Sequence, residues 1–241
     1  MMKLFLSALV AISSLTIQAQ KHVYDDLLVL YVDEKYDKCI QKAEYYTQKD
    51  DTRKDPLPFL YMSMCYYEMS KHEKYQQQYP KASRDALKWA EKYRRKDKEN
   101  EIFKNYEDYW MNLNTLGMEE GENLMDDPKG LSRSRQVWNS MTVYYPENPG
   151  PWLMLALVKY KSNMVREADE HVKEFEKRLA EAGDVDRLPA DQRKLLKNAL
   201  IRYADHLNDK GMRDEAKRFL AMGKDHFMEE PDFKGAFEAI R

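Results

Sequence analysis

Apolar residues recur along this chain at helical spacing with charged residues between them, a pattern that predicts amphipathic helices throughout. We divide it into five helix pairs, at about residues 22–49, 57–95, 99–145, 150–181 and 191–228. Pro80 falls inside the second pair, and we expect the helix to kink or restart there because proline lacks a backbone N–H. From Asn100 to Met125 the pattern predicts one long helix, followed by a loop at residues 126–130.

The composition points to an all-α fold. Glycine (8) and proline (9) are sparse in the 241 residues, charged residues make up 34%, and no long stretch alternates β-branched and polar residues. The length allows one large domain or two small ones, and a solenoid would form a single continuous domain.

Two segments repeat one arrangement of bulky and small residues. Residues 149–175 carry Trp152, Leu155, Ala156 and Ala168, at successive spacings of 3, 1 and 12. Residues 200–220 repeat it in phase, with a glycine in the turn: Leu200, Tyr203, Ala204, Gly211 and Ala216. Weaker copies near the N-terminus carry Val23, Leu27, Leu30 and Cys39, and then Phe59, Met62, Ser63 and Tyr66.

This arrangement resembles the tetratricopeptide repeat (TPR), a helix–turn–helix unit of about 34 residues. Asp26 and Tyr75 depart from the family pattern, and the middle of the chain breaks its phase. The resemblance implies a right-handed α-solenoid of stacked antiparallel helix pairs over residues 20–241, in which small residues let paired helices approach closely. An irregular helical bundle would show similar apolar spacing and stays open as the alternative.

The first nineteen residues have the character of a secretory signal peptide. Lys3 precedes an apolar run from Leu4 to Leu15, and Ala19 ends a segment typical of a cleavage site. No later segment stays apolar for the roughly 18 residues of a membrane span. We therefore expect residues 1–19 to be removed and the mature chain to be soluble and periplasmic or secreted. The first cysteine is Cys39, which disfavours a lipid anchor at the new N-terminus.

The balance of charge limits the classes of partner that the chain is expected to bind. Lys and Arg number 40 against 42 Asp and Glu, so the chain lacks the positive field that nucleic-acid binding needs. The most basic segment, Arg84 to Lys98, is interspersed with carboxylates, and we interpret it as a solvated helix face.

Cys39 and Cys65 could form one disulfide or serve as two small buried residues.

Motifs that carry catalysis or bind a metal are not found. The five histidines have no His–Glu–x–x–His spacing, and no Gly-rich phosphate loop or Gly–x–Ser–x–Gly elbow occurs. The acidic cluster around Glu119 to Asp127 could supply an acid and base pair, but an acidic loop is the simpler interpretation. We therefore expect neither an enzyme nor a cofactor.

The resemblance also implies a binding groove, because the first helix of each TPR unit lines a concave surface. Carrying its inward-facing positions onto this sequence gives nine predicted groove residues: Tyr24, Leu28 and Tyr31, then Leu60, Met64 and Tyr67, then Leu153, Leu157 and Tyr160. Tyrosines are effective anchors at interfaces. The same residues could instead be core, covered by the irregular middle of the chain.

These features favour an exported protein–protein interaction scaffold, a subunit or accessory of an envelope secretion or assembly complex, with a protein or peptide as its partner. One alternative is a periplasmic chaperone or carrier that binds apolar or aromatic peptide segments. The other is a glycan- or peptidoglycan-binding protein.

Overall fold

A computed structural model describes residues 22–127 and 129–240, and every regular element in these ranges is a helix. The predicted all-α class is confirmed. The predicted signal peptide lies outside the described residues. The α-helices are α1 Asp25–Val32, α2 Tyr36–Gln48, α3 Pro56–Ser70, α4 Glu73–Gln76, α5 Ala82–Arg94, α6 Glu107–Asp126, α7 Leu131–Tyr144, α8 Pro149–Lys161, α9 Val165–Ala182, α10 Ala190–Asp209, α11 Arg213–Phe227 and α12 Pro231–Ile240. Short 3-10 helices span Phe103–Tyr106 and Val185–Arg187.

The helices pack mainly in chain order. α1 packs on α2, α3 on α5, α6 on α7, α8 on α9 and α10 on α11, so the five predicted pairs are pairs of packed helices. Successive pairs are joined by contacts of α2 with α3, α5 with α7, α7 with α8, and α8 with α10. α6 departs from this order because it also contacts α10, two pairs further along the chain.

One turn is built three times, in the first, fourth and fifth pairs. Glu34, Asn163 and Gly211 each adopt a left-handed backbone, with φ of 56°, 59° and 77°. The amide of the next residue donates to a carbonyl five residues back, which closes the end of the preceding helix. The three hydrogen bonds run from Lys35 to Leu30, from Met164 to Lys159 and from Met212 to Leu207, each 2.9 Å long.

Around each of these turns, two fully buried residues stand at a constant spacing of 12. They are Leu27 and Cys39, Ala156 and Ala168, and Ala204 and Ala216. In every case the left-handed residue follows the first of the two buried residues by seven positions. The second pair has a fully buried residue, Ser63, only at the first of these two positions. Its turn contains no left-handed residue.

Helix boundaries in the middle of the chain differ from the predicted ones. The interruption expected at Pro80 is confirmed, since α4 ends at Gln76 and α5 begins at Ala82. The long helix expected from Asn100 is wrong, because α6 begins only at Glu107. Asn100 has a left-handed backbone (φ 55°) that ends any helix there.

A buried carboxylate holds the segment before α6 in its non-helical shape. Asp97 accepts hydrogen bonds from the amides of Glu101, Ile102 and Phe103 at 3.0–3.2 Å and from the hydroxyl of Tyr93 at 2.5 Å. These bonds replace the intrahelical bonds of a first turn, so the chain forms the 3-10 helix Phe103–Tyr106 before α6.

The last helix was not predicted. α12 begins with Pro231 at its first position, where a missing amide costs nothing. It packs on α10 and α11 through Phe233 and Ile240, both buried, and exposes Asp232, Lys234 and Glu238. α12 thus packs on the fifth pair and has a polar outer face.

Candidate functional site

Four of the nine predicted groove residues are core. Leu60, Leu153 and Leu157 are buried in the same cluster as Leu113 and Met118 of α6. Tyr24 is also buried, and its hydroxyl donates to Asp55 Oδ2 at 2.7 Å. These four side chains contact their own chain, which favours the core interpretation for them.

The remaining five divide between two places. Leu28 and Tyr31 on α1 and Met64 and Tyr67 on α3 keep partial or full exposure near the N-terminal end. Tyr160 lies elsewhere, with its ring 6.1 Å from that of Tyr203 on α10. Burial and a hydrogen bond to Asp169 raise the pKa of Tyr160 to about 12. Tyr160 therefore packs against a different helix from those that contact Tyr31 and Tyr67.

Tyr31 and Tyr67 are half-buried among other rings. The ring of Tyr31 lies edge-on to Tyr61 at 6.2 Å, and burial together with Glu68 raises the pKa of its hydroxyl. The ring of Tyr67 lies edge-on to buried Tyr109 at 5.8 Å, and Lys71 Nζ stands 4.6 Å above it. Such edge-to-face packing holds both rings in place while part of each faces outward.

The outer side of α1 is apolar and exposed. Leu28, Val29 and Val32 have 47%, 56% and 68% of their surface exposed, and we call these three residues the α1 face. The sequence Asp25–Val32 is apolar on all sides beyond its first turn, so burying Leu27 against its neighbours leaves the opposite side in solvent.

The charges next to the α1 face are mainly acidic. α1 contains Asp25 and Asp26 and no lysine or arginine. Asp26 and Asp33 have lysine partners, Lys42 at 3.4 Å and Lys35 at 2.9 Å. A partner with basic groups beside an apolar segment would match this surface.

A shallow hollow adjoins the α1 face. Its volume is about 310 Å³, and its walls include Leu28, Tyr24, Leu57, Tyr61 and Tyr106. Tyr106 ends the 3-10 helix Phe103–Tyr106, so this short helix borders the hollow. Residues remote in sequence therefore extend the apolar surface that α1 begins.

A buried polar cluster joins α6 to α10 and was missed by the sequence analysis. Asn114 Nδ2 donates to Asp191 Oδ2 at 2.8 Å, and Asn148 Nδ2 donates to Asn114 Oδ1 at 3.1 Å. Asn148 also caps α8 by accepting from the Gly150 amide at 3.2 Å. Of these three residues, only Asn148 could have been recognised from the sequence, because an Asn directly before Pro149 is typical of a helix N-cap.

The basic segment near α5 lines a cleft of mixed charge. This cleft, about 700 Å³, runs between α5 and α7 and contains Lys81, Arg84 and Lys88 together with Asp85 and Glu91. The interspersed carboxylates match the solvated helix face expected from the sequence.

No family model, curated protein or solved structure matches the chain. Within residues 22–127 and 129–240, His, Cys, Asp and Glu side chains form no group of three or more suited to a metal ion. No helix in the same ranges combines the length and the apolar character that crossing a membrane requires.

Proposed function

We propose that this chain is a protein-binding scaffold built as a TPR-like, right-handed solenoid of stacked antiparallel helix pairs. Three units support this architecture, because each repeats the left-handed turn and the pair of buried residues 12 positions apart. Contacts between successive pairs in chain order are typical of stacked repeats. The contact of α6 with α10 makes the stack irregular in its third pair.

The α1 face is the observation that carries the binding function. Three large apolar side chains on one side of α1 are each about half exposed or more, although aliphatic burial favours covering them by about 25 cal/mol per Å². The occupant we propose is an apolar segment of a partner protein flanked by Lys or Arg, because the surroundings of α1 are acidic. The N-terminal composition supports an exported protein, and hence a partner in an envelope secretion or assembly complex.

Replacing Val29 and Val32 by Asp tests this assignment. Both side chains are exposed, so the double variant keeps its fold while placing charge where the partner's apolar segment would lie. We expect the dissociation constant for a partner captured from envelope extract, identified and then purified, to rise more than about tenfold, because each 1.4 kcal/mol of lost binding is a factor of ten. Isothermal titration calorimetry measures the change.

Val165→Asp is the matched control, since Val165 is a valine of nearly equal exposure (54%) at the start of α9. It should leave binding unchanged. Partner binding that survives in the α1 double variant contradicts the proposal. A wild-type dimer that the same substitutions dissociate would assign the face to a second copy, and retention of many unrelated unfolded proteins would favour a chaperone.

A further inference from the structure

The cleft of about 700 Å³ between α5 and α7 has more cationic than acidic side chains in its walls, and we call it the α5–α7 cleft. α5 and α7 are the second helices of the second and third pairs. None of the nine predicted groove residues lines this cleft, and it shares no lining residue with the hollow beside α1. It is therefore a separate surface of the molecule.

Some of the charges in this cleft neutralise each other. Its walls contain five cationic and three acidic side chains. Two of the cations and two of the carboxylates form ion pairs, which are Lys159 with Glu167 at 2.8 Å, Arg84 with Glu120 at 3.8 Å, and Arg95 with Glu91 at 2.6 Å. Lys81, Lys88 and Arg135 form no ion pair with another described residue, and among the carboxylates of the cleft the same holds for Asp85. The unpaired charge of the cleft is therefore predominantly positive.

Arg135 has a weak partner within its own chain. Its side chain is half-buried, yet its Nη1 donates to Met164 Sδ, at 2.9 Å. A thioether sulfur is a weak acceptor, whereas partly desolvated guanidinium groups commonly pair with carboxylates, which accept two parallel hydrogen bonds. A carboxylate that entered the cleft would therefore be a stronger acceptor for Arg135 than Met164 is.

The spacing of the two free lysines indicates the kind of anion that fits. Lys81 directly precedes α5, and Lys88 lies seven residues further along it, which corresponds to about 10 Å along the helix axis. In a polyproline II segment, residues three positions apart lie on the same side, about 9 Å from each other. A Glu-x-x-Glu segment in that conformation would therefore present its carboxylates at the spacing of the two lysines.

We propose that the α5–α7 cleft binds an acidic segment of a protein, with Lys81, Lys88 and Arg135 pairing with its carboxylates. A nucleic acid fits less well, because Asp85 and the net charge of −2 oppose a continuous row of phosphates, whereas the carboxylates of a peptide are discrete. The inference goes beyond the proposed function, since it adds a second surface whose partner carries the opposite charge to the partner of the α1 face.

A capped Pro-Glu-Pro-Pro-Glu-Pro peptide tests the cleft on the full chain, with Pro-Gln-Pro-Pro-Gln-Pro as its neutral counterpart. We expect the Glu peptide to shift the NMR signals of the exposed side-chain amides of Gln136 and Asn139, which line the cleft. Its dissociation constant should be roughly 0.1–1 mM, and the Gln peptide should bind about tenfold more weakly. Raising NaCl from about 50 to about 300 mM should weaken the Glu peptide several-fold through screening.

Three results overturn the proposal. Equal binding of the Gln peptide would show that charge does not select the ligand. Inorganic phosphate that binds as tightly as the Glu peptide would assign the cleft to a small free anion. A single-stranded oligothymidine that binds more tightly than the peptide would assign it to a nucleic acid.

Charge reversal locates the binding. Lys81→Glu with Lys88→Glu changes two exposed residues and should weaken the Glu peptide at least about tenfold, because two attractions become repulsions. Lys217→Glu with Lys224→Glu is the matched control, since these lysines are also exposed and seven residues apart on α11. This control changes the net charge by the same amount and should leave the affinity nearly unchanged. Equal affinity of the two double variants overturns the assignment.

Asp85→Asn tests the cleft through a gain of affinity, which misfolding does not produce. Removing the free carboxylate should strengthen binding of the Glu peptide about two- to threefold. Asp214→Asn, which removes an exposed carboxylate from the first turn of α11, should have no effect. Weaker binding by Asp85→Asn would contradict the proposal. The α1 variant Val29→Asp with Val32→Asp should bind the peptide as the wild type does, so the two proposals can fail separately.

Discussion

The thiol of Cys39 on α2 donates a hydrogen bond to the carbonyl oxygen of Leu27 on α1, at 3.5 Å. Both residues are fully buried, and each has counterparts at the same spacing in two later pairs, Ala156 with Ala168 and Ala204 with Ala216. Side chains at these positions stay small on the second helix because the two helix backbones approach closely there.

Enlarging these positions should therefore loosen the packing. We expect Ala168→Trp and Ala216→Trp each to lower the free energy of unfolding by about 1–3 kcal/mol or more, because overpacking forces side chains and backbone to shift. Ala180→Trp on α9 and Ala221→Trp on α11 are matched controls at exposed positions of the same helices. Melting curves followed by circular dichroism compare the four, and equal midpoints would show that the assigned repeat phase is wrong.

Between α6 and α7 a glycine allows the two helices to approach closely. A Cβ atom on Gly121 would lie 2.5 Å from Cε2 of Trp138, whereas one on Gly235 in α12 would meet nothing within 4 Å. Gly121→Ala should destabilise the chain by about 1–3 kcal/mol. Gly235→Ala should stabilise it by up to about 1 kcal/mol through helix propensity. Urea titration measures both, and a stabilised Gly121→Ala would contradict the close packing of these helices.

The two cysteines are free thiols, and both are buried. A hydrogen bond with Cys39 and burial raise the pKa of the Cys65 thiol, which keeps it in its unreactive protonated form. We expect an aromatic disulfide reagent to react with both thiols at least about a hundredfold more slowly in the native protein than in urea, because reaction requires local opening. Failure to detect two thiols in urea would show that the pair is oxidised.

Asp191 should make stability depend on pH. Burial raises the pKa of its carboxyl group above the ordinary value of 3.8, while Asn114 and the amides at the start of α10 lower it in part. The folded state therefore binds the proton more tightly than the unfolded state, so the favourable contribution is complete below 3.8 and is lost as pH rises through the raised pKa.

Asp191→Asn is neutral at every pH and should remove this dependence. We expect its melting temperature to exceed that of the wild type at neutral pH and the difference to shrink in acid, with Asp214→Asn following the wild type. Melting curves across the acidic range measure the difference. A less stable Asn variant at neutral pH would mean that the carboxylate has a favourable partner.

Local sequence determined most of the helices and the repeat turns. Helical periodicity depends on residues three or four positions apart, and the spacing of Ala156 from Ala168 lies within one helix pair. Both patterns can therefore be recognised from the sequence alone. The start of α6 was misplaced because the hydrogen bonds that Asp97 accepts from the following amides compete with a helix, and periodicity does not reveal them.

Tertiary structure alone decided which apolar residues stay exposed and which polar residues meet. Leu28 and Leu157 were equivalent in the repeat pattern, yet Leu157 is buried in the cluster that includes α6, and 47% of the surface of Leu28 is exposed. Asn114 and Asp191 are 77 residues apart, and they meet because α6 packs on α10. Periodicity identifies the side of a helix that will be buried, but the neighbour that covers it, and so the surface left for a partner, depends on long-range packing.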